Sequence, residues 1–171
     1  MKKSLLAGLG MAMLVGLGLQ AQATEWQTNY GAASTNAAKA GRFMLLDFCG
    51  SDWCDWCIKL DKEVFDTKEF ADYAKAKLVC VRLDFPKQKK LSKTLKDQND
   101  AMAKQYNVKG FPTVVVLSPT GDLVETTGYQ EGGAKKYVES LKAMIATYEQ
   151  QRPKKDAENK PATTPVAHPG K

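Results

Sequence analysis

Four cysteines carry most of the chemistry open to this sequence, and two of them, Cys54 and Cys57, are separated by only two residues. At the start of a helix, unpaired backbone N–H groups and the helix dipole stabilise the thiolate of the first cysteine. That thiolate can attack a disulfide, and a thiol one turn later can resolve the mixed disulfide. The spacing therefore predicts thiol–disulfide exchange, a reaction that needs no metal and no cofactor.

Histidine is nearly absent, because the single histidine of the chain is His168, close to the C-terminus. The predicted core consequently has no imidazole with which to activate a serine or cysteine nucleophile. A zinc site would have to be built from cysteines and carboxylates alone. The composition thus concentrates any catalytic role on the four cysteines.

Metal binding and simple cross-linking are the alternative interpretations of the pair. Cys49, Cys54 and Cys57 have the spacing of three ligands in plant-type iron–sulfur proteins, with Cys80 as a conceivable fourth. A two-cysteine site also suits a soft metal such as copper or zinc. In the plainest alternative the pair is a structural disulfide, although so short a loop stabilises a fold little.

Cys49 and Cys80 each fall on a predicted core strand. Buried cysteine commonly packs as a small apolar residue, and this is the simplest role for both. A second disulfide between them is the alternative, since the two strands can be neighbours in the sheet. Cys49 could also form an alternative bond with the active pair.

Residues 1–23 have the organisation of a secretory signal. Two lysines precede an uncharged, mostly apolar run over residues 5–19, which is shorter than the roughly 20 residues of a membrane span. Small residues follow, and we expect cleavage after Ala23; the alternative is an uncleaved N-terminal anchor. Export would place the thiols outside the cytosol, in the periplasm of a Gram-negative bacterium, where disulfides persist.

Residues 151–171 are rich in proline and poor in large apolar side chains. Such a segment cannot bury enough surface to offset the entropy of ordering it, so we expect a disordered tail. The folded domain then covers residues 24–150. The formal charge of +6 comes mostly from the two ends. Since the domain has no basic stripe with interleaved aromatic residues, nucleic acid is not an expected partner.

Between these ends the hydrophobic pattern alternates between helices and strands. Short apolar runs bounded by turn residues predict buried strands, and apolar residues at helical spacing among lysines predict amphipathic helices. The predicted helices cover residues 29–40, 55–61, 66–76, 91–106 and 132–148, and the predicted strands cover residues 43–48, 78–84, 113–117 and 122–127.

This order of elements predicts an α/β fold. Crossover connections make the first strands parallel, and a turn at residues 118–121 joins the last two strands as a terminal β-hairpin before a C-terminal helix. The result is a mixed central β-sheet flanked by helices on both faces. Cys54 then falls where a central strand leads into a helix, at the carboxyl edge where open α/β sheets place their sites.

Several spaced motifs make the chain resemble the thioredoxin superfamily. They are L-L-D-F before the pair, W-C-x-x-C at the pair and G-F-P-T after it. The sequence is most similar to the exported bacterial branch that carries F-x-G-S-D-W-C-x-W-C-x-x-L, and the resemblance covers residues 26–148. It implies a thioredoxin-like fold and a protein thiol–disulfide oxidoreductase.

The resemblance also implies roles for individual residues. Cys54 matches the exposed attacking cysteine, Cys57 the resolving cysteine, and Trp53 the tryptophan that shields them. Pro112 matches the cis-proline that lies beside the cysteines in this family. The backbone of the adjoining Phe111 would pair with an extended substrate segment, as an added strand does.

Three further residues refine these expectations. Asp47 resembles the buried acid that relays the proton of the resolving cysteine, but one extra residue separates it from Cys54, and a hydrogen-bonded core aspartate is the alternative. Trp56 is expected to form an apolar docking surface with Trp53, with simple packing as the alternative. The carboxylate of Asp55 disfavours the neighbouring thiolate, which favours a reductant or isomerase over a strong oxidant.

The whole sequence predicts an exported, monomeric enzyme that reduces or isomerises disulfides in extracytoplasmic proteins. Its partners would be protein disulfides and a membrane-bound or soluble thiol donor that re-reduces the pair. The alternative from a different functional class is a binding or chaperone-like module that keeps the fold without turnover.

Overall fold

The computed structural model describes residues 23–158. The predicted signal segment up to residue 22 and residues 159–171 of the predicted tail lie outside the described residues. Five strands, β1 to β5, span Trp26–Gln27, Phe43–Cys49, Leu78–Asp84, Thr113–Leu117 and Leu123–Thr127. Five helices, α1 to α5, span Tyr30–Ala40, Asp55–Leu60, Lys68–Lys77, Lys93–Gln105 and Gly133–Glu158, and a π-helical turn over Asp61–Phe65 follows α2 directly.

The strands form one mixed sheet in the order β1-β3-β2-β4-β5. Strands β1 and β2 run parallel to β3, whereas β4 runs antiparallel to β2 and β5 antiparallel to β4. The predicted crossovers and the terminal hairpin are therefore confirmed. Because β2 is the central strand, its carboxyl end delivers the cysteine pair to the middle of one sheet edge.

Helices cover both faces of the sheet, as the element order predicts. On one face, Leu45 of β2 packs with Phe70 of α3 and Tyr137 of α5. On the opposite face, Leu46 of β2 belongs to a cluster that includes Met102 of α4. Neighbouring residues of β2 enter different cores because successive side chains of a strand point to opposite faces. The strand that positions the site is thus buried on both sides.

Capping residues set the bounds of the helices. The side chain of Asn29 accepts a backbone N–H from the first turn of α1, and Gly41 ends this helix with a left-handed φ of 61°. Helix α3 begins one residue later than the sequence motif suggests, because Thr67 rather than Asp66 supplies the capping oxygen.

Three elements depart from the predictions. The pattern does not predict β1, since a strand of two residues carries no detectable alternation. Helical structure after α2 continues to Phe65 through the π-helical turn. Helix α5 continues through Glu158, ten residues beyond its predicted end at residue 148 and into the segment predicted as a tail. Of the helices within residues 23–158, none has both the length and the apolar character of a membrane span.

Candidate active site

Cys54 and Cys57 lie at the start of α2 and form a disulfide, with their Cα atoms 5.2 Å apart. Cys54 is the N-cap residue of this helix, and its Sγ accepts the backbone N–H of Cys57 at 3.2 Å. Cys54 is 7% exposed and Cys57 is 2% exposed. The structure therefore places the pair at the strand-to-helix transition, with the first cysteine the more accessible one.

The loop between β2 and α2 is fastened to the chain that leaves β3. Ser51 donates its backbone N–H and its hydroxyl to the carboxylate of Asp84, at 2.9 and 2.6 Å. Asp52 accepts three consecutive backbone N–H groups from residues 87–89, at 2.8–3.2 Å. These hydrogen bonds hold the pKa of Asp52 below its usual value, and the bond from the backbone N–H of Lys87 has the largest effect. The additional residue between β2 and the pair is accommodated in this anchored loop.

Trp53 is 38% exposed and is held by contacts on several sides. Its Nε1 donates to the backbone carbonyl of Phe85 at 2.8 Å, and its ring packs edge-on against Phe111 at 5.9 Å between centroids. The ammonium of Lys87 lies 4.0 Å from the indole centroid. A Cβ added at Gly50 would lie 2.5 Å from the indole, so the close approach of this ring requires glycine there. We call these residues the Trp53 cluster.

Trp56 anchors a second group of residues, which we call the Trp56 cluster. Its ring packs against Tyr129 at 5.1 Å between centroids, and the ammonium of Lys59 lies 4.9 Å from both rings. The hydroxyl of Tyr129 donates to Glu63 at 2.6 Å. Trp56 nevertheless remains 54% exposed. Core packing therefore does not explain this tryptophan, which presents an ordered aromatic face to solvent.

The segment before β4 lies beside the cysteines. The Phe111–Pro112 peptide bond is cis. Phe111 packs against the buried cluster that Cys49 forms with Cys54 and Cys57. The structure thus brings Phe111 of the predicted substrate-binding segment to the disulfide that it was expected to accompany.

Asp47 is buried in β2 and 1% exposed. Its Oδ2 lies 3.5 Å from Nε of Arg82, the residue that faces it on β3. The remaining guanidinium nitrogens of Arg82 each bond one oxygen of Asp61 at 2.7 Å. Burial raises the pKa of Asp47 to about 7, against the opposing charge of Arg82. Asp47 can therefore gain or lose a proton near neutral pH, which the proposed relay role requires.

Cys49 and Cys80 are buried free thiols at different positions along the sheet. Cys49 pairs with Asp84 in the parallel ladder, and its Sγ lies 3.8 Å from Oδ1 of that residue. Cys80 pairs with Leu45, four residues earlier on β2, which corresponds to about 13 Å of strand. The suggested disulfide between Cys49 and Cys80 is therefore wrong, and Cys80 cannot join the other cysteines around one cluster.

The electrostatic setting of these two thiols favours their protonated form. Burial raises the pKa of Cys80 to about 12 and that of Cys49 well above its usual range, where the nearby carboxylates add to the effect. Within residues 23–158, no three histidine, cysteine or acidic side chains are grouped so as to hold a metal ion. Cys80 packs in the apolar core on one face of the sheet, and Cys49 packs with the disulfide pair and Phe111.

The family profile of the thioredoxin-like domain matches residues 30–145, most of the described chain. The chain belongs to the thioredoxin-like family. This thioredoxin-like protein is 31% identical over 121 residues to the disulfide bond reductase DsbH of Chlamydia pneumoniae, a match that covers 71% of this chain and 72% of DsbH. It is 30% identical over 93 residues to the thioredoxin-related protein DsbJ of the same organism. That match covers 54% of this chain but 27% of DsbJ.

Solved structures agree with this assignment. The thioredoxin-like protein superposes on a DsbH oxidoreductase with a TM-score of 0.72 and 28% identity, covering 81% of this chain and 95% of the other. A thioredoxin from Thermus thermophilus, 18% identical, shares the fold with a TM-score of 0.56 over 72% of this chain and 88% of its own. The protein is thus a thioredoxin-like thiol–disulfide oxidoreductase related to DsbH.

Several residues of the site escape sequence analysis. The supports of the two tryptophans, Phe85 and Tyr129, come from distant segments and carry no motif. Arg82 is different, because an arginine inside the otherwise apolar run L-V-C-V-R-L signals a buried acidic partner. Identifying Asp61 as that partner requires the structure.

Proposed function

We propose that this thiol–disulfide oxidoreductase is exported and reduces or isomerises disulfides in proteins outside the cytosol. The observation that carries the proposal is the position of Cys54, whose sulfur caps α2 and is bonded to Cys57. The relationship to DsbH, named a disulfide bond reductase, supports the reducing direction. So does Asp55, whose carboxylate lies in the first turn of the same helix and disfavours a stable thiolate.

The first step is attack by the Cys54 thiolate on one sulfur of a substrate disulfide. A bond forms between Cys54 and that sulfur, the substrate disulfide breaks, and its other half leaves as a thiolate. The backbone N–H of Cys57, which the Cys54 sulfur accepts in the oxidised protein, is placed to stabilise the attacking thiolate.

The second step releases the substrate. The Cys57 thiol gives up its proton, its sulfur attacks Cys54, and the second substrate thiolate departs as the Cys54–Cys57 disulfide forms. Asp47 is the proposed proton acceptor, because its pKa of about 7 allows it to exchange protons at neutral pH. The protein has then passed two electrons to the substrate, and a membrane-bound or soluble thiol donor returns them.

The surface around Cys54 supports protein disulfides as the substrates. The Trp53 and Trp56 clusters expose aromatic faces next to the pair, and apolar faces of this kind bind unfolded segments. Phe111 supplies backbone next to the disulfide, where an extended segment can pair with it. We propose that the protein acts on such segments as a monomer.

Trapping the intermediate tests the proposed roles of the cysteines. Cys57→Ser removes the resolving thiol, so we expect it to accumulate a mixed disulfide with insulin that nonreducing electrophoresis detects. Cys54→Ser is the matched control and should form no such adduct and reduce no insulin. Equal insulin reduction in wild type and Cys54→Ser, or none in either, would contradict the proposal, and none in either would favour a binding module that keeps the fold without turnover.

The reduction potential tests the direction. Equilibration of the full protein with glutathione buffers, followed by alkylation and mass spectrometry, gives the ratio of dithiol to disulfide. A potential near that of thioredoxin, about −270 mV, supports a reductant, whereas about −120 mV would mark a strong oxidant and contradict the proposal.

Export is tested separately. We expect the full chain, expressed in a Gram-negative host, to reach the periplasm with Thr24 as its first residue, since the sequence predicts cleavage after Ala23. Intact mass and N-terminal sequencing of the periplasmic fraction measure this. Recovery of the uncleaved chain with the membranes would indicate the N-terminal anchor.

A further inference from the structure

Two carboxylates, those of the buried Asp47 and the partly exposed Asp61, share the guanidinium of Arg82 unequally. Arg82 directs Nη1 and Nη2 to the two oxygens of Asp61, at 2.7 Å each, in a bidentate arrangement. Only Nε faces Asp47, and it lies 3.5 Å from Oδ2. Arg82 therefore makes its close, directional hydrogen bonds with Asp61, whereas its Nε makes none with Asp47.

The charges in this group do not balance. Two carboxylates and one guanidinium leave a net negative charge in a partly buried site, which favours uptake of a proton. Asp47 is 1% exposed and its Oδ1 has no hydrogen-bond partner among the described residues. The side chain of Asp61 is 22% exposed and both of its oxygens are bonded. Geometry alone thus assigns the proton to Asp47.

We propose that Asp61 is a positioning residue for the exchange reaction: by occupying the fork of Arg82, it keeps Asp47 as the carboxyl group that takes up the proton. The inference rests on the relay role of Asp47 in the proposed function. It adds that proton affinity at the site is set by an acid on the segment following α2, rather than by Asp47 and Arg82 alone.

Two features hold this arrangement in place. Asp61 begins the π-helical turn, where its carbonyl accepts the backbone N–H of Asp66 at 2.8 Å. Such turns within helices are frequently found at functional sites. On its other side, the guanidinium of Arg82 lies 4.3 Å from the ring centroid of Trp26. Loss of Asp61 would free the fork to turn toward Asp47, and both the lost charge and the new bonds would favour the ionised carboxylate.

Among the remaining titratable neighbours, Asp84 also raises the pKa of Asp47, but its charge contributes less than that of Asp61. Burial is the main cause of the raised proton affinity of Asp47, Arg82 opposes it, and Asp61 adds to it with its charge. Tyr137 of α5 and the thiols on β2 and β3 have raised pKa values, chiefly from burial, and stay protonated at neutral pH. The pKa of Asp47 depends on four neighbouring groups, Arg82, Asp61, Cys49 and Asp84. The charge of Asp47 in turn raises the pKa values of Tyr137 and Cys80.

The test measures the ionisation of Asp47 directly in the oxidised full-length protein. Selective ¹³C-carboxyl labelling followed by NMR titration reports each aspartate, and Asp47→Asn identifies the resonance of Asp47. In Asp61→Asn we expect the proton affinity of Asp47 to fall about tenfold. Asp61→Glu, which keeps the charge and can still bridge the fork, should restore it. Asp97→Asn, which removes an exposed acid paired with Lys93 on α4, is the matched control and should change nothing.

Each outcome decides a separate point. An unchanged or increased proton affinity of Asp47 in folded Asp61→Asn would overturn the inference. So would a titration of the wild-type protein in which Asp61 rather than Asp47 takes up the proton near neutral pH, a measurement that does not require Asp61→Asn to fold. The inference is supported when Asp47 shifts as expected. If the pH profile of glutathione disulfide reduction then fails to shift with it, the relay role is what fails, and the placement of the proton by Asp61 stands.

Discussion

The indole N–H of Trp53 donates to the backbone carbonyl of Phe85 at 2.8 Å, so the residue before the attacking cysteine is tied to the chain that leaves β3. The backbone N–H of Phe85 in turn donates to the carbonyl of Cys49 at 2.8 Å. With the bonds made by Ser51 and Asp52, these contacts hold the active-site loop against its neighbour at several points. The orientation of Trp53 is therefore a property of the anchored loop rather than of the tryptophan alone.

Gly50→Ala should disturb this arrangement. The added Cβ would lie 2.5 Å from the indole of Trp53, so the ring or the loop must move. We expect a loss of about 1–3 kcal/mol in the free energy of unfolding, as for other overpacked sites, and a change in tryptophan fluorescence. Urea unfolding followed by fluorescence measures both.

Gly110→Ala is the matched control for that substitution. No atom lies within 4 Å of a Cβ added at Gly110, so its stability should stay within about 0.5 kcal/mol of wild type. Equal effects of Gly50→Ala and Gly110→Ala would show that the contact with Trp53 does not require glycine.

Trp56→Ala should weaken docking of protein substrates. Because Trp56 is 54% exposed and supported by Tyr129, we expect KM for insulin to rise several-fold, while reduction of glutathione disulfide changes little. Leu123→Ala removes an equally exposed apolar side chain on β5 and serves as the control, with no expected change in KM. Unchanged kinetics with insulin in Trp56→Ala would mean that this tryptophan does not contact substrates.

The main elements of the fold could be predicted because their signals are local. The run T-V-V-V-L and the apolar run before the cysteines mark β4 and β2, and Gly41 marks the end of α1. Glycine, proline and hydrophobic periodicity each act over a few residues, so a single sequence reveals them. The two-residue β1 and the π-helical turn depend on tertiary contacts and leave no comparable signal.

The site was predictable only in part, because only some of its residues belong to local sequence motifs. The cysteine pair and Pro112 belong to motifs, whereas the partners that hold Trp53, Trp56 and Asp47 come from strands and helices distant in sequence. The suggestion of a bond between Cys49 and Cys80 was wrong because adjacency of two strands does not set their register. The register of two strands determines which of their residues lie opposite each other, and the composition of the strands alone does not specify it.

Asp47→Asn should change how stability depends on pH. The pKa of Asp47 is raised by burial from 3.8 to about 7, so between these values the unfolded chain has released a proton that the folded protein retains. Asp47 therefore lowers the stability of wild type progressively as pH rises through this window, by up to about 4 kcal/mol. In Asp47→Asn this loss should disappear, and the variant should gain stability relative to wild type above pH 7.

Chemical unfolding at several pH values between 4 and 8 measures that difference, with Asp47→Asn and wild type compared at each pH. The exposed Asp97 on α4 supplies the control, because Asp97→Asn should run parallel to wild type across the window. A constant difference between wild type and Asp47→Asn at all pH values would show that Asp47 is ionised throughout.

Cys49 and Cys80 should resist alkylation in the native protein. Both are buried, and their raised pKa values keep the reactive thiolate scarce. After reduction under native conditions, we expect mass spectrometry to find label first on Cys54, the more exposed member of the pair. Early labelling of Cys49, or recovery of a Cys49–Cys57 disulfide, would show that Cys49 takes part in exchange.

The sulfur that reacts is also the atom that caps a helix. Opening the disulfide turns the cap of α2 from a neutral acceptor into a thiolate, so each catalytic cycle alters the stability of the first helical turn. The free energy of helix capping thereby contributes to the reduction potential. About 1 kcal/mol of additional capping free energy in the reduced form corresponds to a shift of about 20 mV. Substitutions in the first turn of α2 that never touch a substrate should consequently tune how strongly this protein reduces.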